Sequence, residues 1–226
     1  MSDAALPVSP VRIRVWDVPT RVVHWLVVLL VAFSWWTAET GRMEWHRWSG
    51  YTMLALVIFR VYWGIAGSST ARFREFVRGP RATASYLKGN WTAAPGHNPL
   101  GALSVVALLA LLAAQVALGL FAVDVDGIES GPLSTYVSFE AGRTAAGWHE
   151  SVFDVLTAFI ALHVVAVGYY VVVRKQALVA AMVHGKRAYP EPQPQPMRSA
   201  SFMRLMIGVV LAAGCTWMVA RAFQFG

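Results

Sequence analysis

The stretch Trp148–His163, WHESVFDVLTAFIALH, holds two histidines fourteen residues apart and feeds an apolar run, Val152–Val173. That run meets the roughly 20 residues a helix needs to cross about 30 Å of hydrocarbon. A metal-binding or ionisable side chain at membrane depth is costly and usually has a partner there. In a helix, fourteen residues rise about 21 Å and return to within about 40° of the same face. His149 and His163 therefore point the same way at opposite depths, and no single metal ion can reach both.

The remaining sequence supplies the partners. With 57% hydrophobic and 14% charged residues, the 226-residue chain is too apolar for an ordinary soluble domain. Four further runs approach or reach spanning length: Val22–Ala38, Trp48–Ala66, Leu100–Val123 and Leu205–Ala220. The expected architecture is an all-α integral membrane protein. It comprises a four-helix transmembrane bundle within residues 1–187 (fourth span 149–173), a Pro/Gln-rich linker over 188–201 and a fifth transmembrane helix within 202–226. A polar arm precedes the first run and WWTAETGRMEWH follows it without a small-residue cleavage site, so it reads as a retained span rather than a signal peptide. Cys215 is the only cysteine, which excludes an intramolecular disulfide, a Cys-ligated iron–sulfur cluster and haem attachment through Cys-x-x-Cys-His.

The net charge of +7 follows membrane topology and needs no nucleic-acid partner. With a cytoplasmic N-terminus, all Lys and Arg except Arg42, Arg47, Arg143 and Arg221 fall on the inner side, so the chain is expected N-in and C-out. The acids Glu39, Glu44, Asp124, Asp126, Glu129, Glu140, Glu150 and Asp154 gather outside. The inner face suits anionic lipid, and the outer face could steer a basic protein.

Trp35, Trp36, Trp45 and Trp48 mark the outer interface, and GSSTARFREFVRGPRATASYLKG is a basic inner loop expected to hold a surface helix. The Gly-rich stretch DVDGIESGPLSTYVSFEAGRTAAG is long enough to fold over the outer end and form part of a docking surface. YPEPQPQPMRS reads as a semi-extended connector. The fifth span has no histidine or carboxylate, and Gly208 with Ala212 gives it a small-xxx-small packing face.

Depth pairs the histidines. His24 opens span one near the inner leaflet, at the level of His163; His46 opens span two near the outer leaflet, at the level of His149. Each pair offers two imidazoles and no carboxylate or thiolate, which is poor for zinc and suits the two axial positions of a haem. Two b-type haems stacked across the bilayer fit. The competing reading, four polar residues satisfied in helix contacts, has to explain complementary depths on three helices. Gly50, one turn after His46, would let a porphyrin approach the backbone, and Gly64 and Gly168 could serve similarly. Arg47 outside, and Arg21 or Arg60 inside, could pair with propionates. His184 reads as a solvated loop residue. His97 with Asn98 could offer hydrogen bonds to a quinone carbonyl beside the inner haem, or Asn98-Pro99 could simply start span three.

The segments VWDVPTRVVHW, EWHRWSGY, FVRGPRA, GHNPLGA and WHESVFDVLTAFIALH resemble the bacterial cytochrome b561 superfamily, in the branch of nickel–iron hydrogenase cytochrome b subunits. The resemblance spans roughly residues 12 to 187. It implies a four-helix bundle with two haems b, axial ligands at His24, His46, His149 and His163, and electron transfer between a periplasmic redox partner and the quinone pool in the respiratory chain. It also implies a quinone site by the inner haem. The partner is expected to be a hydrogenase-like protein or a c-type cytochrome.

No catalytic side chain stands out beyond these cofactor sites. A superoxide:quinone oxidoreductase, as in another branch of the superfamily, would need Arg42, Arg47 and Arg143 to guide the anion against a net acidic face. A cofactor-free transporter or anchor would need mid-span polar groups, of which Gln115 and Thr157 are nearly all there is.

Overall fold

The computed structural model describes residues 11–90, 96–189 and 194–225, with side chains through residue 222. Five helices in it are long and apolar enough to cross a membrane: α1 (Val18–Glu39), α2 (Met43–Ala66), α5 (Pro99–Phe121), α6 (Phe139–Val172) and α8 (Phe202–Phe225). Short helices α3 (Phe73–Phe76), α4 (Pro80–Leu87) and α7 (Leu178–His184) and two strands, β1 (Val11–Arg14) and β2 (Lys186–Tyr189), gather where the chain is rich in Arg and Lys. That end is called the basic end below, and the opposite one the acidic end.

Local chemistry sets the helix starts. Asp17 caps α1, its Oδ1 accepting from the Thr20 N–H at 2.8 Å, with Pro19 in the first turn. Asn98 does the same for α5, accepting from the Gly101 N–H at 2.7 Å ahead of Pro99. Ser138 caps α6. Gly41, at φ +66°, makes the tight turn from α1 to α2.

Packing follows two hairpins. α1 lies on α2, α5 lies on α6, and α2 joins the pairs by touching α5. Neither α1 nor α2 packs extensively on α6, so the hairpins face each other across a gap. An apolar layer closes this gap only at mid-height: Met53, Val57, Leu112 and Leu156 are buried there, with Val27, Leu30, Val31 and Ile160 against them. Leu156, 1% exposed, lies seven residues from each histidine of α6. Seven residues are about two turns, so the layer sits on the histidine-bearing face, midway between the two.

The structure changes several expected boundaries. α6 has 34 residues, about 51 Å of helix, and begins ten residues before His149, so the outer loop ends at Ser138. This happens because the Ser138 cap and the helix-compatible stretch from Phe139 continue without a breaker into the span. The loop folds back on the end of α5 through a Val123–Ser130 bridge and the Leu133 N–H to Leu120 carbonyl bond at 2.8 Å. The basic loop forms two short helices, because Gly79-Pro80 interrupts it.

The arm before α1 was not expected to form a strand. β1 pairs antiparallel with β2, Val11 opposite Tyr189 and Arg14 opposite Lys186, over a small core of Ile13, Val15, Trp16, Ala181 and Tyr189. Of the connector, residues 190–193 lie outside the described residues. Beyond them it is docked rather than free: the Met197 N–H reaches the Arg14 carbonyl at 3.1 Å, and the Ser69 N–H reaches the Arg198 carbonyl at 3.0 Å. The fifth helix, α8, packs along α2, where Gly208 seats the Tyr62 and Phe59 rings and Ala212 is buried. This small-residue contact is the one its sequence indicated.

Candidate haem sites

The histidine levels follow the seven-residue spacing. Along one face of α2 come His46, Met53 and Arg60; along one face of α6 come His149, Leu156 and His163. All four expected ligand histidines are half-buried. They stand on either side of the interhelix gap, His46 and His149 above the apolar layer and His24 and His163 below it.

At the acidic end the His46 and His149 rings are 6.1 Å apart between centroids, nearly perpendicular at 84°. Two imidazoles on opposite sides of one metal ion, with bonds of about 2 Å, would place their ring centres about 6 Å apart. The Nδ1 of His46 lies 2.9 Å from the Ser34 carbonyl oxygen, and that of His149 lies 2.9 Å from the Gln115 carbonyl oxygen. A carbonyl only accepts, so both Nδ1 atoms carry the proton and both Nε2 atoms keep a lone pair. That is the tautomer and orientation a metal-ligating histidine needs. The Gln115 side chain meets the Nε2 of His149 at 3.1 Å, while its own buried Oε1 has no partner.

At the basic end the expected pair is His24 of α1 and His163 of α6. The Nδ1 of His163 lies 3.3 Å from the Ser104 hydroxyl, and the buried Nδ1 of His24 has no hydrogen-bond partner among the described residues. No protein atom comes within 4 Å of a Cβ built on Gly50 or Gly168, so both leave backbone open to a flat ligand. Gly64 does not: the Phe73 ring fills the space beside it, which makes it a packing glycine.

The expected propionate partners differ in availability. Arg47 is salt-bridged to Glu129 at 2.6 Å, and Arg21 is taken up by the carbonyls of Val183 and Asp17. Arg60 has no carboxylate within ion-pair distance among the described residues; it lies over the Phe73 ring at 5.2 Å and reaches the Ala71 carbonyl at 3.5 Å.

His97 packs its ring against Trp16 at 4.6 Å and Phe76 at 4.7 Å, beneath the basic-end pair. Burial, with Arg60 and then His163 and His24 nearby, pushes its pKa down to about 3 and keeps it neutral. Its Nδ1 is buried without a partner. Asn98 spends its Oδ1 on the α5 cap and donates from Nδ2 to the Tyr86 hydroxyl at 3.0 Å, which in turn meets Tyr170 at 2.5 Å. Burial and the Tyr170 contact push Tyr86 up to about 12. His184 is exposed at the end of α7.

The sequence reading did not assign Ser34, Ser104, Gln115 or Gly119 to these sites. Gly119 matters because a Cβ there would lie 2.9 Å from Cε1 of His149, so the bare backbone seats that ring against α5. The available signal was polar or small residues at four- and eleven-residue offsets within otherwise apolar α5, at 104, 115 and 119.

Comparison with known proteins agrees with this arrangement. The family model described as prokaryotic cytochrome b561 matches residues 15–185. Among curated proteins, the probable Ni/Fe-hydrogenase B-type cytochrome subunit of Azotobacter chroococcum mcd 1 is 24% identical over 168 residues, covering 66% of this chain and 69% of the relative. No solved structure matches significantly.

Proposed function

The chain belongs to the prokaryotic cytochrome b561 family, a membrane electron-transfer family that implies haem b, and from that premise we propose that it carries electrons through two bis-histidine haems b. His46 with His149 would hold the haem nearer the acidic end, and His24 with His163 the one nearer the basic end. The observation that carries this reading is the 6.1 Å His46–His149 pair, with each Nδ1 proton given to a carbonyl of the other helix in its own hairpin. The haems would supply the one-electron chemistry. The chain's part is to aim the Nε2 of His46 and of His149, to leave Gly50 bare beside the outer site, to offer Arg60 to a propionate, and to separate the sites by the apolar layer at Leu156.

The basic end is taken as cytoplasmic by its Arg and Lys excess. Quinone would bind there, where neutral His97, with an unpartnered buried Nδ1, could hydrogen-bond a carbonyl and the Asn98, Tyr86 and Tyr170 chain lies beside it. On the periplasmic side the acidic loop would meet a redox protein, a hydrogenase-like subunit or a basic c-type cytochrome. A superoxide-oxidising role finds less support. Arg47 is paired with Glu129, Arg143 donates to the Val123 carbonyl at 2.8 Å, and Arg42 lies over Trp36, so none is committed to an entering anion.

The test is the reduced-minus-oxidised visible spectrum of purified protein with haem counted per chain. Two low-spin b haems are expected. His24→Ala or His163→Ala should each lose one haem and keep the other. Retention of both haems in either variant would overturn the pairing, and absence of haem after haem-sufficient expression would overturn the cytochrome reading.

A further inference from the structure

At the acidic end the α1–α2 hairpin carries a groove of about 250 Å³ lined by Phe33, Trp36, Arg42 and Trp45. Its walls are rings in contact: Phe33 lies 5.9 Å from Trp36 and meets Trp45 edge-on at 6.4 Å. Phe33, Trp36 and Trp45 are nonetheless 37%, 44% and 57% exposed, so the protein itself covers little of the groove. We propose that it binds one phospholipid of the acidic-end leaflet, with a zwitterionic, ammonium-bearing headgroup of the phosphatidylethanolamine type.

Depth is the first ground. Arg42 stands in the turn between the two helices, and Phe33 lies six residues, about 9 Å of helix rise, below the end of α1 at Glu39. The groove therefore runs from headgroup level into the hydrocarbon, the depth at which tryptophan belts sit. An acyl chain laid along the rings gains dispersion contact with them.

Charge is the second ground, and it selects the headgroup. The Arg42 guanidinium lies over the Trp36 ring at 5.0 Å, with no carboxylate at ion-pair distance among the described residues. The ring holds the cation at the rim of the groove and leaves its planar N–H fork for a phosphate. Glu39 ends α1 three residues before Arg42, and Glu44 lies in the first turn of α2 two residues after it. Both are exposed, and neither forms an ion pair among the described residues. A phosphate alone would answer the cation and meet two carboxylates of its own sign. A phosphate joined to an ammonium answers both signs.

The experiment is native mass spectrometry of the full chain, delipidated in mild detergent and titrated separately with phosphatidylethanolamine and phosphatidylglycerol of the same acyl chains. One phosphatidylethanolamine should be held more tightly than any phosphatidylglycerol. Arg42→Gln should weaken that first binding about tenfold, and Arg42→Lys by less. Glu39→Gln combined with Glu44→Gln should erase the preference between the two lipids. Arg81→Gln, at an exposed arginine of the basic end, should leave it unchanged. Phosphatidylethanolamine with brominated acyl chains reads the place of binding: it should quench tryptophan fluorescence, and Trp36→Phe with Trp45→Phe should remove part of that quenching. Equal hold on both lipids by the unaltered chain would overturn the site. So would undiminished binding in Arg42→Gln, an equal loss in Arg81→Gln, or quenching that survives whole in the double tryptophan variant. Neither measurement depends on haem.

Discussion

Single residues in this protein often serve two contacts at once. The Asp17 carboxylate caps α1 through Thr20 and accepts from the Trp63 indole of α2, so one side chain fixes both the start of the first span and its docking to the second. Asp17→Ala should cost about 1 kcal/mol for the cap and a similar amount for the charge-assisted bond to Trp63. A fall in the thermal unfolding midpoint checks it, and Asp17→Asn should recover part of the loss by keeping a capping oxygen. The histidines are the reverse case, since their candidacy as ligands was legible from spacing while their orientation was not. Nothing in the string places the Ser34 and Gln115 carbonyls opposite His46 and His149, because that placement depends on how α1 packs on α2 and α5 on α6. The same holds for Gly64, which spacing offered as a porphyrin seat and which the Phe73 ring occupies.

Among elements, α5 and α8 gain most from the structure. α5 has no histidine, and yet its Ser104, Gln115 and Gly119 touch both histidines of α6. α8 was expected as a packing helix, and it lies on α2 with Tyr62 against Gly208. A Cβ at Gly208 would come within 2.6 Å of the Tyr62 ring, so Gly208→Leu should separate the two helices at a cost of about 1–3 kcal/mol. Thermal stability in detergent should fall, while the haem spectrum stays intact, because α8 carries no histidine. Loss of haem in this variant would mean that α8 supports the sites through α2. The mid-height layer makes a comparable prediction. Leu156→Ala removes a side chain that is 1% exposed and should destabilise by about 2–5 kcal/mol, with both haem ligand pairs unchanged.

Over the whole molecule, charge and packing are arranged along one axis. The β1–β2 sheet, α7 and the docked connector close the basic end over His97, and the folded loop with its Glu129–Arg47 bridge covers the acidic end. Reporter fusions should find the C-terminus periplasmic and the α3–α4 region cytoplasmic; the opposite result would invert the assignment of the quinone end without altering the two sites.

The sequence by itself determined the helical membrane architecture and offered four histidines at two depths as candidate ligands, because hydrophobic length and helical period are local properties read along one chain. It also indicated the packing face of α8, since small residues four apart mark such a face wherever they occur. The β1–β2 pairing, the service of α5 to both histidines and the unequal partners of the four Nδ1 atoms were decided only in the tertiary structure. Each depends on groups far apart in sequence meeting at one height in the bundle, and that meeting is set by how helices pack rather than by any residue's own preference.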